Sequence, residues 1–260
     1  MGDMTSSLEW VAIVGSRLHS LRQGAQPLHL FRCGRDALIN AALRKWRHQH
    51  STLRSNESLT MSDEFTLRDD PFALFDEWLE VAGMTELNDS NAMALASVDD
   101  QDMPDVRIML LNGHDARGFV FYTNLESAKA RELRSHPTAA AVFHWKSLRR
   151  QVRLRGPVSR VIDAEADAHF ACRPLLSRLG ACASNQSRPL DSRSTLEARV
   201  RSVAERYPDG IVPRPSHWSG YRIMPLAIEF WQDRAHRLHD RVVFTRSAEA
   251  KPWDRQLLYP

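Results

Sequence analysis

The sequence predicts an α+β chain, mainly β: an antiparallel barrel with helices packed outside it. Three observations carry this. Short apolar runs follow one another as strand, strand, strand, helix, strand, strand, which is not the alternation of a doubly wound sheet. In "RQVRLRGPVSRV", residues 150–161, Val152 and Leu154 alternate with Arg153 and Arg155, one face dry and one wet. In "DDPFALFDEWLEVAG", residues 69–83, helical spacing lies between start and stop signals.

Taken in order, residues 1–60 differ from the rest. They hold eight Lys/Arg against four Asp/Glu, whereas the remaining residues hold 27 against 28. The basic excess therefore belongs to an extension, expected to be poorly ordered, ahead of one domain over 61–260. "RCGRDALINAALRKWRHQH" within it could form an amphipathic helix, and Met61 in "SLTMSDEF" leaves open a working start near there. Asp70 reads as an N-cap, Pro71 as the first helical residue and Gly83 as the stop, with Phe72, Phe75 and Leu79 on one apolar face. "NAMALASV", "VRIMLLN" and "GFVFYTN" read as strands, with "NGHDARG" as turn material. "ESAKARELRSHP" is a helix ended by Pro137, and "TAAAVFHW" resumes strand character. Two further helices, "DAEADAHFACR" and roughly 192–206, precede the closing strands "GYRIMPLAIEFWQ" and "RVVFTR".

A basic field on the folded domain is what a nucleic-acid surface requires, and the main domain lacks one. No apolar run approaches the ~20 residues of a membrane span. The N-terminus lacks a basic start followed by an apolar core, and Cys33, Cys172 and Cys182 are odd in number without CxxC spacing. These features point to reduced thiols and a cytoplasmic setting.

Nucleotide-loop, zincin and nucleophile-elbow motifs are absent, and the histidines lack metal-ligand spacing. What remains is a set of cations and amides at strand ends beside aromatic residues. Arg107 precedes an apolar strand, and Lys129 and Arg131 open a helix after "FYTN". Gln151 begins a strand, Gln186 and Ser187 sit in a loop, and "EFWQDRAHRLHDRVVF" crowds Arg237, His239 and Arg241 near Trp231. Arginine forks and lysine charges suit phosphate, Gln suits a heterocycle with donor and acceptor edges, and Trp can cover a flat ring. Singly, each is an ordinary surface group. Together they suggest a phosphorylated planar cofactor.

The segments "RIMLLN", "FYTNLESAKARELRSHP", "RRQVRLRGPV", "RPLLSRLGACASNQS", "EFWQDRAHRLHDR" and "LLYP" resemble, in order, the pyridoxine/pyridoxamine 5′-phosphate oxidase family over about residues 66–260. The resemblance implies an FMN-binding split β-barrel with flanking helices, forming a homodimer with FMN at the subunit interface. It implies FMN contacts from Arg107, Ile108, Met109, Leu110, Tyr122, Thr123, Lys129, Gln151, Gln186, Ser187, Trp231 and Arg241. It further implies substrate contacts from Asn112, His169, Arg173, Ser177, Arg237 and His239, with Arg237 and His239 nearest the chemistry. A hydride would pass to FMN and then to dioxygen, giving hydrogen peroxide.

Three positions depart from the vitamin B6 enzymes: Asn112 stands where they carry lysine, His169 where they carry tyrosine, and Ala128 where an arginine is usual. Together with "ESLT" at 57–60, these resemble the phenazine-biosynthesis branch, which implies a dihydrophenazine carboxylate as substrate. "RRQVRLRG", "SRLG" and "NQS" resemble the vitamin B6 branch instead. A pyridoxine/pyridoxamine 5′-phosphate oxidase and a non-catalytic flavin-binding protein are the alternatives.

Overall fold

A computed structural model of the chain describes residues 65–260. The extension, its amphipathic stretch, Met61, Cys33 and "ESLT" lie outside the described residues. Five α-helices and ten strands follow a 3-10 turn at Phe65–Leu67, and a second such turn, Ala235–Arg237, lies between the last strands. The first helix, α1 (Pro71–Thr85), begins as expected: the Asp70 carboxylate accepts the Phe72 N–H at 2.9 Å, and Pro71 follows. Gly83 does not stop it. The helix runs two residues further, because Gly83 there is exposed and asks nothing of φ. Its buried face is Leu74, Phe75, Trp78 and Ala82, whereas Phe72 and Leu79 pack at the margin.

The strands are β1 (Ala92–Val98), β2 (Pro104–Leu110), β3 (Gly113–Asp115), β4 (Gly118–Asn124), β5 (Thr138–Trp145), β6 (Arg150–Arg160), β7 (Trp218–Ile223), β8 (Ala227–Gln232), β9 (Asp240–Thr245) and β10 (Asp254–Leu257). All pairings are antiparallel, in the order β10-β9-β8-β6-β5-β1-β2, with β7 and β4 branching from β6. The long strand β6 makes the barrel. Arg150–Arg155 pair with β8, and Val158–Arg160 pair with β7. The change of partner falls at Gly156, where a Cβ would lie 1.9 Å from the Met224 carbonyl oxygen. Only glycine permits that approach. The run "GYRIMPLAIEFWQ" is correspondingly two strands, broken at Met224–Leu226.

The curled sheet closes on an aromatic core. Phe75 meets Phe119 and Phe143 edge to face at 4.9 and 5.1 Å, and Trp78 meets Phe230 at 5.2 Å. Such pairs contribute ~0.5–1.5 kcal/mol each beyond burial. Val152 and Leu154 face this core while Arg153 and Arg155 face out, as the alternation predicts.

Outside the barrel lie α2 (Ala128–Ser135), α3 (Asp163–Cys172), α4 (Leu175–Ala183) and α5 (Arg193–Arg206). The α4 helix was not expected. It forms a second apolar cluster, in which Phe170, Leu179, Val203 and Trp218 are buried and Tyr122 packs against them. No helix among the described residues is long and apolar enough to cross a membrane.

Candidate active site

Lys129 opens the site. Ser127, at the N-cap of α2, does not cap it; its hydroxyl donates to the Asn124 carbonyl at 2.7 Å. The Lys129 ammonium is buried and donates to Gln186 Oε1 at 3.0 Å and to Thr123 Oγ1 and Ser127 Oγ at 3.3 Å each. The Thr123 hydroxyl also reaches Gln186 Oε1, at 3.3 Å. Thus three expected residues, from β4, α2 and the loop after α4, meet on one cation. Among the described residues, every hydrogen-bond partner of Lys129 is a neutral oxygen. Burial, and secondarily the charge of Arg107, pull the ammonium's pKa down. A desolvated cation without a carboxylate in contact is costly, and an anion would offset the cost.

A cavity of about 510 Å³ is lined by Tyr122, the residue before Thr123 on β4. Ile108, Met109 and Leu110 line it too, and so do Asn112, His169 and Arg173. Tyr122 stacks on His169 at 3.9 Å with 4° between the planes, and on Trp218 at 5.1 Å with 3°. Burial, then Glu165, push the Tyr122 phenol up to about 12. Burial, then the charge of Arg173, pull His169 below its ordinary value, which favours a neutral imidazole. The Arg173 guanidinium touches two rings, 4.9 Å from Trp218 and 5.8 Å from Phe170. Its Nη1 is buried without a hydrogen-bond partner.

Arg107 is not part of this lining. It lies on the face of β2 opposite Ile108 and Leu110, 2.7 Å from Glu132 Oε2 and from Asp105 Oδ2, and also donates to Ser97 Oγ. Its influence on the site is electrostatic, through Lys129. Ser177 is half-buried on α4 and Ser187 exposed, with φ of 66°. Neither lines the cavity.

A second group lies on β6, β8 and β9. Gln151, Trp231 and Arg241 are direct cross-strand neighbours and so share one face. Glu229, buried, accepts from Arg241 Nε at 2.9 Å and Nη2 at 2.8 Å, and also from Arg153. The Tyr259 carbonyl accepts from Arg241 Nη1 at 2.8 Å. His239 lies 4.6 Å from the Trp231 ring. Its Nδ1 is 3.1 Å from both the Arg234 N–H and Asp233 Oδ1. Nδ1 makes only one of these contacts at a time: without a proton it accepts from Arg234, and with one it donates to Asp233. Arg237 is exposed in the Ala235–Arg237 turn, where it and His236 have φ of 63° and 58°.

The two groups do not meet within one chain. Leu110 pairs with Ala92, in step with His144, and the row continues through Gln151 and Trp231 to Arg241. At ~4.8 Å per strand, Leu110 is roughly 14 Å from Gln151 and roughly 24 Å from Arg241 across the sheet. Both groups open on the same outer face, where Val106, Ile108 and Leu110 are 63%, 66% and 43% exposed.

Sequence reasoning missed Ser127, Trp218 and Glu229. Ser127 carried a signal, since it precedes a helix, but that signal predicts a cap. Trp218 is a lone tryptophan ahead of an apolar strand, which reads as core.

Residues 81–207 match the family model described as pyridoxamine 5′-phosphate oxidase, and residues 218–260 match the pyridoxine 5′-phosphate oxidase C-terminal dimerisation region. A pyridoxine/pyridoxamine 5′-phosphate oxidase of Azorhizobium caulinodans is 60% identical over 210 residues, 81% of this chain and 99% of that protein. One of Mesorhizobium japonicum is 59% identical over 206 residues, 79% of this chain and all of that protein. Among solved structures, PhzG from Burkholderia lata 383, in complex with tetrahydrophenazine-1-carboxylic acid, superposes with a TM-score of 0.72 at 26% identity, covering 79% of this chain and all of PhzG. Sequence and fold agree, and the chain belongs to the pyridoxamine 5′-phosphate oxidase family of FMN-dependent oxidoreductases.

Proposed function

We propose that the protein is a homodimeric oxidase of pyridoxine or pyridoxamine 5′-phosphate, with each FMN held between residues of two copies. The observation that carries this is a pair of cations, one buried and one half-buried, without a carboxylate partner among the described residues: Lys129, on three neutral oxygens, and Arg173, on two aromatic rings. The site therefore fits two anionic groups, one from the cofactor and one from the substrate.

FMN, when bound, supplies a ring that accepts a hydride and passes the electrons to dioxygen, giving hydrogen peroxide. Lys129, Thr123 and Gln186 would hold its phosphate, and Ile108, Met109, Leu110 and Tyr122 would line the ring. Gln151, Trp231 and Arg241 would come from the second copy. The exposed apolar ridge of Val106, Ile108 and Leu110 supports a seam on that face. Arg173 would hold the substrate's anion, with Asn112 and His169 beside it. Arg237 would orient the substrate. His239, beside the Trp231 ring, would hydrogen-bond the substrate.

The relatives support a vitamin B6 phosphate ahead of the dihydrophenazine carboxylate that Asn112, His169 and Ala128 imply. The likeness to PhzG keeps the second reading in play, because a neutral Asn112 and a wall of stacked rings also suit a flat carboxylate. Oxygen uptake by the FMN-loaded protein separates them. Faster uptake with pyridoxine or pyridoxamine 5′-phosphate than with a reduced phenazine carboxylate supports the first reading; the reverse order replaces it. No uptake with either leaves a flavin-binding protein without this activity.

A further inference from the structure

We infer that Trp218 is a positioning residue: its indole face holds the Arg173 guanidinium in place to capture the anionic group of the substrate. The inference deepens the proposed function and rests on it for the identity of that substrate.

Arg173 is the residue after α3, its main-chain N–H closing the helix on the Phe170 carbonyl. Its side chain makes no hydrogen bond or ion pair among the described residues. Nothing polar therefore fixes where the guanidinium points. Only the rings do, and Trp218 is the nearer, with the guanidinium carbon 4.9 Å from its centroid. A long side chain held by no polar partner would otherwise sample many rotamers, and each ordered one costs conformational entropy. Cation–π attraction replaces a carboxylate here without neutralising the charge, so the cation stays available to an incoming anion.

Trp218 is itself held. Arg214 Nη1 donates to its carbonyl at 2.8 Å, while Arg214 Nη2 and Nε donate to Asp163 at 3.0 Å and Asp167 at 2.5 Å. Both aspartates are on α3, the helix that ends at Arg173. The indole and the guanidinium are thus tied to one rigid element. On the barrel side, Tyr122 stacks parallel to the indole. Trp218 and Arg173 both line the 510 Å³ cavity.

The test is a double-mutant cycle on the FMN-loaded protein, with inorganic phosphate as the anion probe. Trp218→Leu is expected to weaken phosphate binding, and to raise KM for pyridoxine 5′-phosphate, by about tenfold, with the loss in KM rather than in kcat. Trp218→Phe, which keeps a π face, recovers most of it. With Arg173→Met already present, Trp218→Leu causes no further loss. Equal losses with and without Arg173, or Phe as poor as Leu, overturn the inference. If Leu at this position prevents folding, Trp218→Met, which also lacks a π face, reads the same coupling in both backgrounds. Should the wild type bind phosphate through this pair yet leave pyridoxine 5′-phosphate unoxidised, the proposed substrate fails and the pairing stands.

Discussion

The Lys129 ammonium sits 3.0 Å from Gln186 Oε1, across 57 residues of sequence, with no acid among the described residues in ion-pair contact. Lys129→Met should therefore separate cofactor affinity from stability. A charged hydrogen bond contributes ~1.5–3 kcal/mol, so FMN affinity is expected to fall about ten- to a hundredfold. The flavin-free variant is expected to be more stable than flavin-free wild type at neutral pH. Lys129's folded pKa lies below the unfolded 10.5, so wild-type stability should recover as pH rises toward that value. Flavin titration and thermal melts at several pH values check both arms; unchanged affinity would remove Lys129 from the phosphate.

Glu229 joins two strands by taking Arg241 on one carboxylate oxygen and Arg153 on the other. Its side chain is 5% exposed. Glu229→Gln keeps the shape and removes the charge, and is expected to cost about 1–3 kcal/mol in urea unfolding. A value near zero would mean that solvent replaces these contacts freely.

Asn112 lines the same cavity as Arg173 and is exposed there. Asn112→Lys places a second cation at the cavity wall. KM for pyridoxine 5′-phosphate is expected to fall about tenfold, the scale of one charged contact. If it does not move, this position does not govern phosphate capture.

His169 lies parallel to Tyr122 and is kept neutral by burial and by Arg173. Its folded pKa lies below the unfolded 6.5, so its contribution is present above 6.5 and is lost as pH falls through the folded value. Thermal melts from mildly acidic to neutral pH should show wild type losing stability on acidification more steeply than His169→Tyr, which keeps the stack. Equal slopes would assign the acid sensitivity elsewhere.

Local signals were sufficient where pattern and fold agreed. "GFVFYTN" and "TAAAVFHW" form β4 and β5 with their expected bounds, and Asp70–Pro71 starts α1 as its chemistry dictates. The α4 helix carried no such mark: it follows Pro174 without a side-chain cap and is held by packing on α5. β10 is four exposed residues without alternation, paired only with β9.

The site shows the same division. Thr123, Lys129 and Gln186, which the structure brings together, stood out in the sequence because each carries its own chemistry. Trp218 was not, because its contribution depends on which cation lies on its face. Three single positions, 112, 128 and 169, favoured the phenazine branch. Identity across the length of the barrel, already visible in "RRQVRLRG" and "NQS", favours the vitamin B6 enzymes.

The claim that one flavin is held by two copies is tested most directly by co-expressing Lys129→Met with Arg241→Ala. Each variant alone should lose flavin absorbance, since every seam then lacks one of the two groups. In the mixed dimer one seam carries both defects and the other carries none, so flavin binding should return. If the co-expressed pair stays as colourless as the separate variants, Lys129 and Arg241 serve the flavin from the same chain, and the account of the seam is wrong.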